Sequence, residues 1–158
     1  MGSIPARGAF SKQSQRVRDS LFTGSEVQSD YAMVTWAVIV FALLTGLVTA
    51  FQIALLFGAP WGELTLGGKY QGTLPGRARL IPLVSAILLI GFGVIVVSRA
   101  GLAFPGLRGA STYLVWVVVV YCALGCVANA ITPSRRERMV WLPVVVALLV
   151  TSVIVALS

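Results

Sequence analysis

Leu80–Ser98 reads LIPLVSAILLIGFGVIVVS and carries no charge. A bilayer core about 30 Å thick needs roughly 20 apolar residues at 1.5 Å rise each to cross it. The stretch therefore reads as a transmembrane helix. Three more uncharged runs repeat the pattern: Tyr31–Phe57, with Asp30 just outside, Thr112–Ile131 and Met139–Leu157. Backbone groups in lipid must be satisfied inside a helix or a closed barrel. The runs are continuously apolar and do not alternate, which argues against a barrel. The expected fold is all-α, a membrane-embedded four-helix bundle.

The rest of the chain fits around this. Of 158 residues, 58% are apolar, and the mean hydropathy is +0.92. With about 90 residues in spans, little remains for a soluble domain. The net charge of +7 falls in the tail and loops. Such charge argues for headgroup contact and topology control, not nucleic acid. The expected partners are membrane lipids, including anionic headgroups, and a protein partner or second copy. The first apolar run starts thirty residues in and is too long for the apolar region of a signal peptide, so no cleavable leader is expected.

Two regions are expected. Residues 1–30 form a polar, basic tail, largely disordered on composition. Residues 31–158 form the four-span domain, with helices at about 31–57, 80–98, 112–131 and 135–157. Within the tail, Phe10, Ser14, Val17 and Leu21 have helical spacing beside Lys12, Arg16 and Arg18. That pattern weighs an interfacial basic helix against a solvated segment.

Four tryptophans mark the membrane boundaries. Trp36 and Trp116 fall on the tail side, Trp61 and Trp141 on the other, as aromatic belts require. Both ends of the four-span domain then share one side. The tail and loop 2 (Arg99–Ser111) carry as many basic residues as loop 1 (Gly58–Arg79) and loop 3 (Thr132–Arg138). Charges close to helix ends count most, which leans loops 1 and 3 toward the cytoplasm of a cell membrane. A basic amphipathic tail helix argues the opposite.

Polar chemistry inside the spans is sparse. Gln52 and Asn129 are the two carboxamides there, both beneath the face that carries loops 1 and 3. Thr45, Thr49 and Gln52 share a stripe on the first helix, and Tyr121, Gly125 and Asn129 share one on the third. Polar groups at membrane depth face the bundle interior or a cavity. Gln52, Asn129, Thr49 and Tyr121 are therefore the candidate interior or ligand-facing residues. Interhelical hydrogen bonding and close packing are the competing reading. Trp61, Glu63, Tyr70, Arg77, Arg79, Arg135 and Arg138 are the candidate residues of the loop 1/loop 3 face. Cys122 and Cys126 read as small packing residues, since the chain has no His and a two-thiolate metal site is incomplete. No metal and no cofactor is expected. His-based and paired-carboxylate catalysis is unsupported, so the protein is not expected to be an enzyme.

Three local signals remain. Gly67-Gly68, between Leu64-Thr65-Leu66 and Lys69-Tyr70-Gln71, predicts a two-residue hairpin laying Trp61, Leu66 and Tyr70 against the headgroups. Loop 1 then reads as a lid over the interior polar groups or as a plain interfacial connector. Ser134-Arg135-Arg136-Glu137 predicts a capping box at the start of the last helix. Pro143 predicts a kink near Met139.

The pattern Gln52…Gly58-Ala59-Pro60-Trp61-Gly62…Gly67-Gly68…Leu74-Pro75…Arg79, then Asn129…Pro133-Ser134…Glu137-Arg138…Pro143, resembles a group of short bacterial four-span membrane proteins of unassigned activity. The resemblance covers about residues 34–157 and leaves the tail outside. It implies a bacterial inner-membrane location and no reaction. Together these readings predict a small integral membrane protein. Its expected role is that of a non-enzymatic interaction or accessory protein using its loop 1/loop 3 face. The alternative is an oligomeric small-solute transporter or channel with Gln52 and Asn129 lining a path.

Overall fold

The computed structural model describes the backbone from Arg7 and side chains from Glu26, in both cases to Ser158. Four α-helices follow in order: α1 Arg7–Leu56, α2 Leu80–Arg99, α3 Arg108–Ile131 and α4 Arg135–Leu157. The described residues contain no strand. Four segments are long and apolar enough to cross a membrane: Glu26–Leu56, Gly76–Arg99, Pro105–Ile131 and Arg135–Leu157. The chain is a multi-pass, all-α membrane protein.

Residues 1–33 and 34–158 form separate compact units. In the first, the backbone of residues 7–30 is helical, where composition predicts a largely disordered tail. No proline interrupts the chain between Arg7 and Leu56. Extending a formed helix costs far less than nucleating one, so the apolar span propagates toward the N-terminus. The expected apolar face of Phe10, Ser14, Val17 and Leu21 lies outside the described side chains. The Glu26–Leu56 span is about 45 Å long, more than the hydrocarbon core, so it tilts or projects.

The second unit is the bundle. Ala37, Val38 and Phe41 of α1 pack with Phe92 and Val96 of α2, Val118 and Cys122 of α3, and Leu148 and Val155 of α4. This cluster fills the half of the bundle remote from loops 1 and 3. Gly125 faces Val145 across α3 and α4, where an added Cβ would already lie 3.9 Å away. The outer faces stay apolar; Leu43, Ile87, Leu124 and Val127 are exposed, as lipid-facing positions should be.

Helix ends are closed by local chemistry. The Gly58 and Ala59 amides donate to the Leu55 and Ala54 carbonyls (3.1 and 2.9 Å), with Gly58 at φ +94°. This is the paired bond of a glycine-terminated helix, and Pro60 prevents its continuation. At the start of α4, Ser134 Oγ accepts from the Glu137 amide at 3.3 Å. Only half of the capping box forms. The Glu137 carboxylate instead accepts from Thr132 Oγ1 (3.1 Å). Pro143 sits inside α4, which continues through it to Leu157.

The hairpin expected at Gly67-Gly68 is not present. A tight turn forms one residue earlier, with positive φ at Leu66 (54°) and Gly67 (74°) and the Gly68 amide on the Thr65 carbonyl (3.0 Å). The flanks do not pair as strands because they have better partners. The Gly62 amide donates to the Gly72 carbonyl at 2.8 Å, closing residues 62–72 into a ring. Leu66 and Tyr70 pack on Leu55, Leu74 and Ala78.

Candidate functional site

The first half of loop 1 is tied to the start of α4. Trp141 Nε1 donates to the Leu64 carbonyl at 2.7 Å, and Ser134 Oγ donates to the Glu63 carbonyl at 3.3 Å. Arg136 pairs with Glu63 at 2.7 Å. That pair is largely exposed and contributes about 0–1 kcal/mol. The Trp141 bond is half-buried and holds an interfacial indole against the loop backbone. Gly67 and Gly68 sit over Pro133 and Ser134, so loops 1 and 3 meet on one face.

Beneath this roof the bundle holds a cavity of about 410 Å³. All four helices and loop 1 contribute to it. Its loop-side end is polar, with Gln52, Asn129, Glu137 and Thr65. Its floor is apolar, with Phe41, Leu89, Phe92 and Leu148. The volume falls within the roughly 300–1,000 Å³ typical of small-molecule sites. Tyr121, Leu124 and Ala128 line the cavity and are also exposed on the outer surface of the bundle. The cavity therefore reaches the lipid-facing flank of α3.

Of the predicted interior residues, Gln52, Asn129 and Tyr121 meet in this cavity. The Gln52 side chain makes no hydrogen bond among the described residues. Asn129 Nδ2 donates to the Gly125 carbonyl one turn back (2.8 Å), which leaves its Oδ1 and one N–H without a partner among the described residues. The two carboxamides do not bond to each other. The Tyr121 ring packs on Phe92, with centroids 4.8 Å apart. Thr49 does not join them; it lies in the groove between α1 and α2, beside Gly46 and Gly93. At about 100° per residue, Thr49 turns about 40° to one side of Thr45, while Gln52 turns about 20° to the other. The shared stripe is too wide for one cavity wall.

The predicted loop face is divided among several jobs. Trp61 stacks on Phe51 (5.9 Å between centroids) in a groove between α1 and α4. Tyr70 packs inward, with the Lys69 ammonium 5.6 Å from its ring. Arg79 Nε donates to the Leu74 carbonyl at 3.0 Å, and its guanidinium lies against Gly58 at the end of α1. Arg138 donates to the Ala130 carbonyl near the end of α3 (3.4 Å). Cations at helix C-termini meet the negative end of the helix dipole. Glu63 pairs with Arg136, while Arg77 and Arg135 are exposed on the surface. These residues form a surface that braces helix ends, not one pocket.

Two cavity residues, Glu137 and Trp141, were not expected there, and Thr45 joins them from the stripe it shares with Gln52. Glu137 had its cap to explain it, yet its side chain also lines the cavity. Trp141 lies one turn further along the same face of α4, a spacing that was legible. Thr45 is 5% exposed, and its Oγ1 has no hydrogen-bond partner among the described residues. Cys122 also lines the cavity, and both cysteines are free. Comparison with protein families, curated proteins and solved structures finds no match to this chain.

Proposed function

We propose that the protein is a non-enzymatic accessory or binding protein of a cell membrane. It holds a small amphipathic molecule, drawn from the bilayer, in the cavity beneath loops 1 and 3. The observation that carries this reading is the gradient along the cavity. Carboxamides and a carboxylate stand at the loop end, and aromatic and aliphatic side chains form the floor. A molecule with a polar head and an apolar body matches that gradient. Loop 1 then acts as a fixed roof, tied down at Glu63 and Leu64. The exposed Arg77 and Arg135 support contact with anionic headgroups. Arginines close to the helix ends support a cytoplasmic position for loops 1 and 3. The sequence resemblance supports a bacterial inner membrane.

The second reading, an oligomeric transporter or channel, draws on the same placement of Gln52 and Asn129 in the cavity wall. A through-path would need the packed cluster around Phe41, Val96, Val118 and Val155 to part. That favours a blind binding site.

Mass spectrometry of protein purified in mild detergent tests the proposal. Wild-type protein is expected to retain a small amphiphile that an Ala128→Trp variant, whose cavity is filled, does not retain. Equal retention by both proteins, or none by either, refutes it. Solute flux in proteoliposomes that Gln52→Leu abolishes would establish the transporter instead.

A further inference from the structure

The polar end of the cavity holds one charged acceptor, the Glu137 carboxylate, beside the neutral carboxamides of Gln52 and Asn129. Asn129 spends one of its two amide N–H groups on its own helix, which leaves Oδ1 and the second N–H for a ligand. The Glu137 carboxylate accepts only, and one oxygen takes the Thr132 hydroxyl while the other has no partner among the described residues. No Lys or Arg lines the cavity. The nearby guanidiniums are engaged elsewhere, Arg136 on Glu63, Arg138 on Ala130 and Arg79 on Leu74.

Aromatic surface lies beside these acceptors. Trp141 is one turn from Glu137 on the same face of α4, and its ring centroid is 4.5 Å from that of Phe51. Both rings line the cavity next to Gln52, and Trp141 is fixed in place by its bond to Leu64. Aromatic faces attract cations within about 6 Å. A carboxylate, a free amide oxygen and two fixed aromatic rings at one end of an otherwise apolar cavity are suited to an ammonium head. The exposed flank at Tyr121, Leu124 and Ala128 gives a route from the bilayer that avoids the arginine-rich loop face.

We infer that the cavity selects an amphipathic amine, whose ammonium head sits between Glu137 and the Trp141–Phe51 pair and whose apolar body lies on Phe41, Phe92 and Leu148. The inference rests on the proposed binding role and narrows it to one ligand chemistry. An anionic amphiphile would find only neutral carboxamide donors, at Gln52 and Asn129, and would be repelled by the Glu137 carboxylate. A neutral alcohol would fill the same space but bring no charge to the Glu137 carboxylate.

Three probes with one chain length separate these cases: octylamine, octanol and octanoate. Each is titrated by equilibrium dialysis into the full chain in zwitterionic nanodiscs, with empty nanodiscs subtracted. Octylamine is expected to bind saturably and roughly tenfold tighter than octanol, because its hydrogen bond to a carboxylate is charge-assisted. Octanoate is expected to show no saturable binding. Glu137→Gln keeps the side-chain shape and an oxygen for Thr132, and is expected to lower octylamine affinity to that of octanol. The series on the unaltered protein decides the matter even if that variant folds poorly. Equal affinity for amine and alcohol, or preference for octanoate, overturns the amine inference and leaves the binding role standing. No saturable binding of any probe overturns both.

Discussion

At the scale of single residues, the cavity wall separates side chains that hold the fold from those that do not. Thr45 Oγ1 is buried without a partner among the described residues. An unsatisfied buried polar group costs about 1–3 kcal/mol. Thr45→Val keeps the shape and removes the hydroxyl, so ligand-free protein should melt higher, by roughly 1 kcal/mol in stability. A lower melting temperature would show that the hydroxyl is satisfied. Ser134 is the opposite case. Its Oγ accepts from the Glu137 amide and donates to the Glu63 carbonyl. Ser134→Ala should cost about 1 kcal/mol through the lost cap alone, read as a lower melting temperature in detergent. The Gln52 side chain makes no hydrogen bond among the described residues, so Gln52→Leu should leave melting unchanged while weakening binding of a polar-headed amphiphile. A large loss of stability would return Gln52 to a packing role.

Loop 1 is the element that roofs the cavity between the four spans. Its ring depends on a close approach at Gly62. A Cβ there would lie 2.7 Å from the carbonyl oxygens of both Gly72 and Tyr70. Backbone atoms cannot rotate away as a side chain can, so Gly62→Ala must break the Gly62–Gly72 bond or shift the loop. Amide hydrogen exchange should then rise across residues 62–72 while the helices keep their protection. Trp141→Phe removes the indole donor to Leu64 and should cost roughly 0.5–1.5 kcal/mol, with faster exchange in the same loop. Unchanged exchange in both variants would mean that the loop is held by its apolar contacts to Leu55 and Leu74 alone. The arginines of this element mostly serve helix ends, which is why a cluster of positive charge in sequence does not become one anion site.

For the whole molecule, the pairing of loops 1 and 3 on one face fixes the topology. Reporter fusions at Ser25, Gly68, Gly106 and Ser158 should read alternately, with Ser25, Gly106 and Ser158 on one side and Gly68 on the other. Opposite readings at Ser25 and Ser158 would remove a span. The arginine lean predicts that Gly68 reads as cytoplasmic. The packed half of the bundle around Phe41, Val96, Val118 and Val155 makes the cavity blind, so the same protein in liposomes should bind without conducting.

The sequence by itself determined the spans. Length and the absence of charge are enough, because lipid offers the backbone no alternative partner. It also determined the end of α1 at Gly58, the Ser134 cap, and the helix ends near which Gln52 and Asn129 lie, since these follow from local spacing. The tertiary structure decided the rest. The Gly67-Gly68 signal became a displaced turn because Gly62 met Gly72 from across the loop. Thr49 left the interior because helix rotation, not stripe membership, sets which wall a side chain joins. Glu137 entered the cavity because folding carries a cap residue of α4 beneath loop 1. Local chemistry is written in neighbouring residues, but a cavity is made of atoms brought together from four helices, and their rotations are fixed only when the helices pack.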